Sequence, residues 1–116
     1  PEHMVIDVRA ENRFKGLVDE PRAGLRSGHI PGSKNLPYTD LLIQGKMLEP
    51  EELKEKLQLK IPENKKLIFS CGSGITACIL ALGAEQSGYK DISVYDGSWT
   101  EWGSIPALPI EKDVLN

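Results

Sequence analysis

The stretch KLIFSCGSGITACILALGAEQSG, Lys66 to Gly88, restricts the fold more than any other part of the chain. KLIFS is a short apolar run suited to a buried strand, and ITACILALGAEQSG reads as a mostly apolar helix that ends at a glycine. Only a glycine-rich turn separates the two, which is the signature of a strand feeding directly into a helix. The rest of the sequence repeats the alternation. MVIDV (Met4 to Val8) predicts a strand in which Asp7 is the odd polar member, and AENRFKG predicts a turn of helix. KNLPY (Lys34 to Tyr38) reads as a short strand stopped by Pro37, and TDLLIQ as a short helix with Thr39 as its N-cap. EPEELKEKLQLK has Pro50 in its first turn, acidic residues at its start, and Leu53 and Leu57 four apart on one face, so it predicts an amphipathic helix facing solvent. DISVYDG (Asp91 to Gly97) predicts a final strand. Strands alternating with helices imply an α/β domain: a mainly parallel sheet flanked by helices on both faces.

A chain of 116 residues, 40% of them hydrophobic, is long enough for one compact domain and too short for two. Its formal net charge of −3, from 14 basic and 17 acidic residues, offers no global attraction for nucleic acid or an anionic membrane. No apolar run approaches the ~20 residues of a membrane-spanning helix. Two cysteines are too few for a disulfide framework, which points to a reducing compartment and a cytoplasmic location. Pro1 to Met4 read as a cloning remnant, with the natural domain running from residue 5 to residue 116.

In a parallel α/β sheet, sites form at the carboxyl ends of strands, and Cys71 falls there. In CGSGIT, Gly72 and Gly74 permit a sharp turn with inward N–H groups, and the following helix N-terminus adds partial positive charge. Negative charge is favoured at such a place, whether on a sulfur nucleophile or on a bound anion, and Ser73 adds a hydroxyl donor. Against this stands a plainer reading, a small buried thiol in a tight turn. Cys78, inside the apolar helix, is expected in the core. A metal site is not expected, because the cysteines lack C-x-x-C spacing and His29 is the only histidine outside the remnant. A cysteine-dependent phosphatase would need an arginine after a five-residue spacer, where this chain has Ala77. Positive charge for an anionic ligand must come from the long loop LVDEPRAGLRSGHIPGS and its approach, where Arg13 and Arg22 sit among turn residues. Alternatively these arginines pair with Glu11, Asp19 or Glu20 on the surface.

Taken together, DVR, GHIPG, CGSGIT and YDGSWTEW, in that order and over Val5 to about Gly103, resemble the rhodanese superfamily, and within it the catalytic C-terminal domain of the 3-mercaptopyruvate sulfurtransferases. The resemblance implies a rhodanese-like three-layer domain without a cofactor or metal. It implies a sulfurtransferase in which Cys71 takes sulfur from a small-molecule donor, 3-mercaptopyruvate, as a persulfide, releases pyruvate, and passes the sulfur to cyanide or to a thiol acceptor such as thioredoxin. Cys71 and Ser73 would be catalytic. Arg13 and Arg22 would bind the substrate's carboxylate and ketone oxygen, with the loop residues Gly72, Gly74, Ile75 and Thr76 around the sulfur. The neutral loop resembles mercaptopyruvate-type members, whereas thiosulfate-preferring members carry basic residues there. Asp7 and Arg9 would support the site through hydrogen bonds, His29 would order its loop, and DGSW (Asp96 to Trp99) would pack near it. Mercaptopyruvate-type members usually have a second, N-terminal rhodanese-like domain, so a missing partner domain is expected. Relay of sulfur from thiosulfate or a protein donor, and a non-catalytic docking module, are the alternatives within the superfamily.

Overall fold

The computed structural model describes residues 3–60, 66–72, 75–86, 88–89, 91–95 and 97–112. Four strands form one parallel sheet in the order β2-β1-β5-β6: β1 (His3–Asp7), β2 (Lys34–Asn35), β5 (Lys66–Ser70) and β6 (Ile92–Val94). The two central strands are the apolar runs, as burial on both sides requires. His3 and Met4, expected to be a remnant, pair with Lys66 and Leu67 as the first residues of β1.

Register places Met4, Leu67 and Ile92 in one row and Ile6, Phe69 and Val94 in the next. This face carries the core, to which α2 (Pro50–Lys60) contributes Leu53 and Leu57, and α3 (Ile75–Gln86) contributes Ala77, Leu80, Ala81 and Ala84. The expected faces of α2 are borne out: Leu53 and Leu57 are buried, and Glu51, Glu52, Lys54, Glu55 and Lys56 are exposed. Helix α3 closes as expected of a glycine stop, with Gly88 at φ +102° and Tyr89 N–H donating to Ala84 O at 3.1 Å.

Two expectations fail. Cys78 is exposed rather than in the core. Helix α3 buries the stripe of Ala77, Leu80, Ala81 and Ala84, yet it also carries Ile79 and Leu82 on exposed positions. Apolar residues on every side hide which side faces inward. The TDLLIQ segment is not a helix capped by Thr39. It is one 3-10 turn, Tyr38–Leu41, entered from Pro37, followed by a hairpin of β3 (Leu42–Ile43) and β4 (Lys46–Met47). Gln44 and Gly45 both have positive φ in its two-residue turn, where Asn-Gly is the more familiar sequence. The strand expected over KNLPY shortens to Lys34–Asn35, although Leu36 N–H and Tyr38 N–H still donate to Asp7 O and Val8 O on either side of Pro37.

The long loop between α1 (Glu11–Phe14) and β2 is ordered by polar contacts. Arg26 donates to the carbonyls of Trp102, Gly103, Ile105 and Leu108, and His29 exchanges two backbone bonds with Glu111. Gly28 is required here: at φ +123°, a Cβ would lie 2.5 Å from Glu111 O. No helix among the described residues is long and apolar enough to cross a membrane.

Candidate active site

Val8 N–H donates to Ser70 O at 2.8 Å, so the ends of β1 and β5 leave the sheet side by side and bring Arg9 and Cys71 to the same edge. Asp7, the odd polar member of its strand, is 2% exposed and holds Arg9 through four hydrogen bonds of 2.7 to 3.1 Å, one of them from the Arg9 backbone N–H. Arg9 Nη2 also donates to Gly28 O at 2.7 Å. The expected support through Asp7 and Arg9 is thus visible as contacts. His29 is buried, stacks on Phe14 with ring centroids 3.8 Å apart, and donates from Nδ1 to Phe14 O at 2.6 Å, a loop-ordering arrangement.

A cavity of about 210 Å³ opens beside Cys71. It is lined by Arg13, Glu20, Pro21, Arg22, Leu25, Cys71 and Gly72, so the nucleophile candidate, both arginine candidates and the first loop glycine meet in one small cleft. Cys71 is 4% exposed, and neither it nor Cys78 is in a disulfide. A Cβ on Gly72 would lie 3.1 Å from Arg13 Nη2, so the guanidinium rests against bare loop backbone. Arg22 is exposed at the rim. Ile75 and Thr76 open α3. Ser73, Gly74 and Asp96 lie outside the described residues.

The model of the rhodanese-like domain matches residues 1–105. The chain belongs to the rhodanese family. It is 50% identical over 114 residues to thiosulfate/3-mercaptopyruvate sulfurtransferase 1, mitochondrial, of Arabidopsis thaliana, a match covering 97% of this chain and 30% of that protein. To the 3-mercaptopyruvate sulfurtransferase of Homo sapiens it is 50% identical over 101 residues, which is 85% of this chain and 34% of the human protein. The crystal structure of Tum1 protein from Saccharomyces cerevisiae is similar with a TM-score of 0.83 at 34% identity, covering 97% of this chain and 40% of that one. The chain spans about a third of the length of the curated relatives it matches.

In this rhodanese domain the loop after β5 is held by α4 (Ser98–Trp102), to a degree that sequence reading did not reveal. Cys71 N–H donates to Ser98 Oγ at 3.0 Å, and that hydroxyl donates onward to Tyr95 O at 2.7 Å. Trp99 N–H donates to Cys71 O, and Thr100 donates to Gly72 O from both its N–H and its hydroxyl. The carbonyls of Cys71 and Gly72 are therefore engaged by α4 and not presented to an anion in the cleft. Ser98 adopts φ +47°, an uncommon conformation for a residue with a side chain, and one that puts its hydroxyl under the Cys71 amide.

Glu20 is the second residue that sequence reading undervalued, as a surface partner for arginine. Its side chain is fully buried and accepts from Arg13 Nε at 3.2 Å and Nη2 at 2.9 Å, and Arg9 Nη1 stands 3.4 Å away. The hydrogen bonds to Glu20 raise the Arg13 pKa above its ordinary value against the opposing effect of burial, and the charge of Glu20 adds to the rise. The available signal was Glu20 itself, an acid two residues before Arg22 in a turn-rich loop.

Proposed function

We propose that this rhodanese domain carries out sulfur transfer, with Cys71 as the atom that accepts sulfur and 3-mercaptopyruvate as the donor. The observation that carries the reading is the meeting of Cys71 with Arg13 and Arg22 in a cleft sized for a small metabolite. The Cys71 sulfur, as thiolate, attacks the donor's sulfur. A sulfur–sulfur bond forms, the donor's carbon–sulfur bond breaks, and its electron pair passes into the enolate of pyruvate, which takes the proton released from the donor's thiol. Arg22 and the exposed edge of Arg13 hold the carboxylate and the ketone oxygen on which the enolate charge develops. Engagement of the Cys71 and Gly72 carbonyls by α4 keeps two negative dipole ends away from that charge. Ser73 is assigned the proton movement at the donor thiol, and Gly74, Ile75 and Thr76 the walls around the sulfur, on family resemblance alone.

The persulfide then gives its outer sulfur to cyanide or to a thiol, for which thioredoxin is a chemically suitable acceptor. The greater length of the relatives fits a further rhodanese-like domain covering the open rim where Arg22 is exposed, and the domain alone is then expected to turn over slowly. The test is intact mass after brief exposure to 3-mercaptopyruvate or thiosulfate. Gain of one sulfur atom with the former, absent in Cys71→Ser, is expected. Gain with thiosulfate alone would overturn the donor, and no gain with either would overturn the activity of this domain.

A further inference from the structure

The sulfur-transfer reading leaves open why a cleft built around arginines buries a carboxylate in its own wall. Glu20 has no exposed side-chain surface, yet it lines the cavity. Burial of an ionised carboxylate is costly unless it is paired, and its partners are Arg13, at hydrogen-bond distance through two nitrogens, and Arg9 Nη1 at 3.4 Å. Arg9 is already neutralised by Asp7, so Glu20 is chiefly the counter-charge of Arg13. Arg22 has no ion-pair partner among the described residues. With Asp7 cancelling Arg9 behind the cleft and Glu20 cancelling Arg13 in its wall, the side chains around the sulfur leave one net positive charge, that of Arg22, to set against the donor and the Cys71 thiolate.

We propose that Glu20 is a specificity-determining residue: acting through Arg13, it limits the arginine side of the cleft to one net positive charge and so selects monoanionic sulfur donors over dianionic ones. The proposal rests on the sulfur-transfer reading and deepens it. By accepting from Nε and Nη2 of Arg13, Glu20 also fixes the plane of the fork, so the guanidinium's remaining N–H groups can give directed hydrogen bonds while its charge is offset. A carboxylate donor such as 3-mercaptopyruvate needs one charge matched and one ketone oxygen held. Thiosulfate brings two charges and no ketone.

The experiment compares wild type, Glu20→Gln and Glu20→Asp for sulfur uptake at Cys71 from thiosulfate and from 3-mercaptopyruvate, read as the ratio of the two initial rates. One unit of charge acting across roughly 8 Å in a half-open cleft corresponds to a change on the order of tenfold once salt screening is allowed for. Glu20→Gln is expected to raise the thiosulfate-to-mercaptopyruvate ratio by about that factor, and Glu20→Asp to leave it near wild type. An unchanged ratio in an active Glu20→Gln protein overturns the proposal.

A second readout separates this from failure of the sulfur chemistry itself. Alkylation of Cys71 by iodoacetate, an anion, divided by alkylation by neutral iodoacetamide reports the local potential, and the thiol's own ionisation cancels. That ratio should rise in Glu20→Gln even if neither donor transfers sulfur, and its constancy would overturn the proposal. If Glu20→Gln does not fold, Arg13→Gln is compared with Arg13→Gln/Glu20→Gln. The single change lowers the alkylation ratio and the double change restores it if Glu20 sets the charge, whereas equal ratios overturn the idea.

Discussion

Arg13, Glu20 and Arg22 on one wall of the cleft and Cys71 and Gly72 on the other face the same space, but the first wall is backed by Asp7 and Arg9 and the second by α4, and they are held by different forces. The first is a chain of buried charges: Asp7 with Arg9, Arg9 near Glu20, Glu20 with Arg13. The second is held from α4 through neutral groups. It is a set of neutral bonds from Ser98, Trp99 and Thr100, together with the buried ring of Trp99. The division is chemically sensible. Charges that recognise a substrate must be aimed, and a buried counter-charge aims them. A loop that carries a reacting sulfur must hold its shape, and neutral hydrogen bonds hold it without placing a further formal charge beside the sulfur. Trp99 joins the walls, because Arg9 Cζ lies 4.7 Å from the centroid of its ring and its indole N–H donates to Arg26 O.

If this contrast is right, deleting a charge from the first wall is the most damaging single change. Arg9→Met keeps much of the side chain's volume but leaves Asp7 buried without its partner and opens the carbonyl of Gly28. The expected loss is about 3 to 5 kcal/mol of stability, measured by urea denaturation. Adding Asp7→Asn to that variant should recover part of it, since the orphaned charge, and not the lost contact, is the main cost. A loss below about 1 kcal/mol would place the pair among exposed ion pairs and remove the distinction between the walls.

The two walls also differed in how far the sequence disclosed them. From the residues alone Arg13 and Arg22 fit a surface ion pair better than a fork aimed at an anion, and only the family resemblance turns the reading toward the site. Cys71 stands out because a strand–glycine–helix junction fixes where its side chain emerges. The parallel sheet followed from the alternation of apolar runs. What stayed hidden depended on contacts between segments distant in the chain. Cys71 meets Ser98 across 27 positions, through a backbone conformation that serine seldom adopts, and no local pattern announces it. Glu20 looked like surface because acids usually are; only the fold shows that it is sealed under Arg13. Cys78 was misplaced for a related reason, since α3 is apolar on both its inner and its outer side.

The neutral wall should respond less, and in a way that separates hydroxyl from backbone. Ser98→Ala removes the acceptor used by Cys71 N–H and the donor to Tyr95 O while retaining the left-handed backbone. The expected loss is about 1 to 3 kcal/mol. Ser98→Gly loses the same hydroxyl but relieves the φ of +47°, so it should be the more stable of the two by about 1 kcal/mol. Both should slow sulfur uptake at Cys71 by similar factors, because uptake depends on where the loop is held and not on backbone strain. If Ser98→Ala cost as much as Arg9→Met, the neutral wall would be no gentler than the charged one.

The smallest effect is expected at the outer edge of α4, where the neutral wall meets a single ionisable pair. Tyr95 donates its hydroxyl to Glu101 Oε1 at 2.5 Å. Burial, then that hydrogen bond and the negative charge of Glu101, push the phenol from 10.0 up to about 12. A phenol whose pKa is raised by folding favours the folded state while it keeps its proton. That contribution is complete below pH 10 and fades as the pH rises from 10 toward 12. Tyrosinate absorbance of the folded protein should therefore contain a late step that Tyr95→Phe removes. Glu101→Gln should move it part of the way back, since the negative charge is lost while burial remains. Through Tyr95 O, which accepts from Ser98, this edge connects to Cys71 N–H by two neutral bonds. Below pH 10 that path carries no change of charge, so pH dependence of sulfur uptake in the neutral range must arise elsewhere in the cleft. Tyr95 titrating at its ordinary value of 10.0 would break this account of the edge, because neither burial nor the charge of Glu101 would then be acting on the phenol.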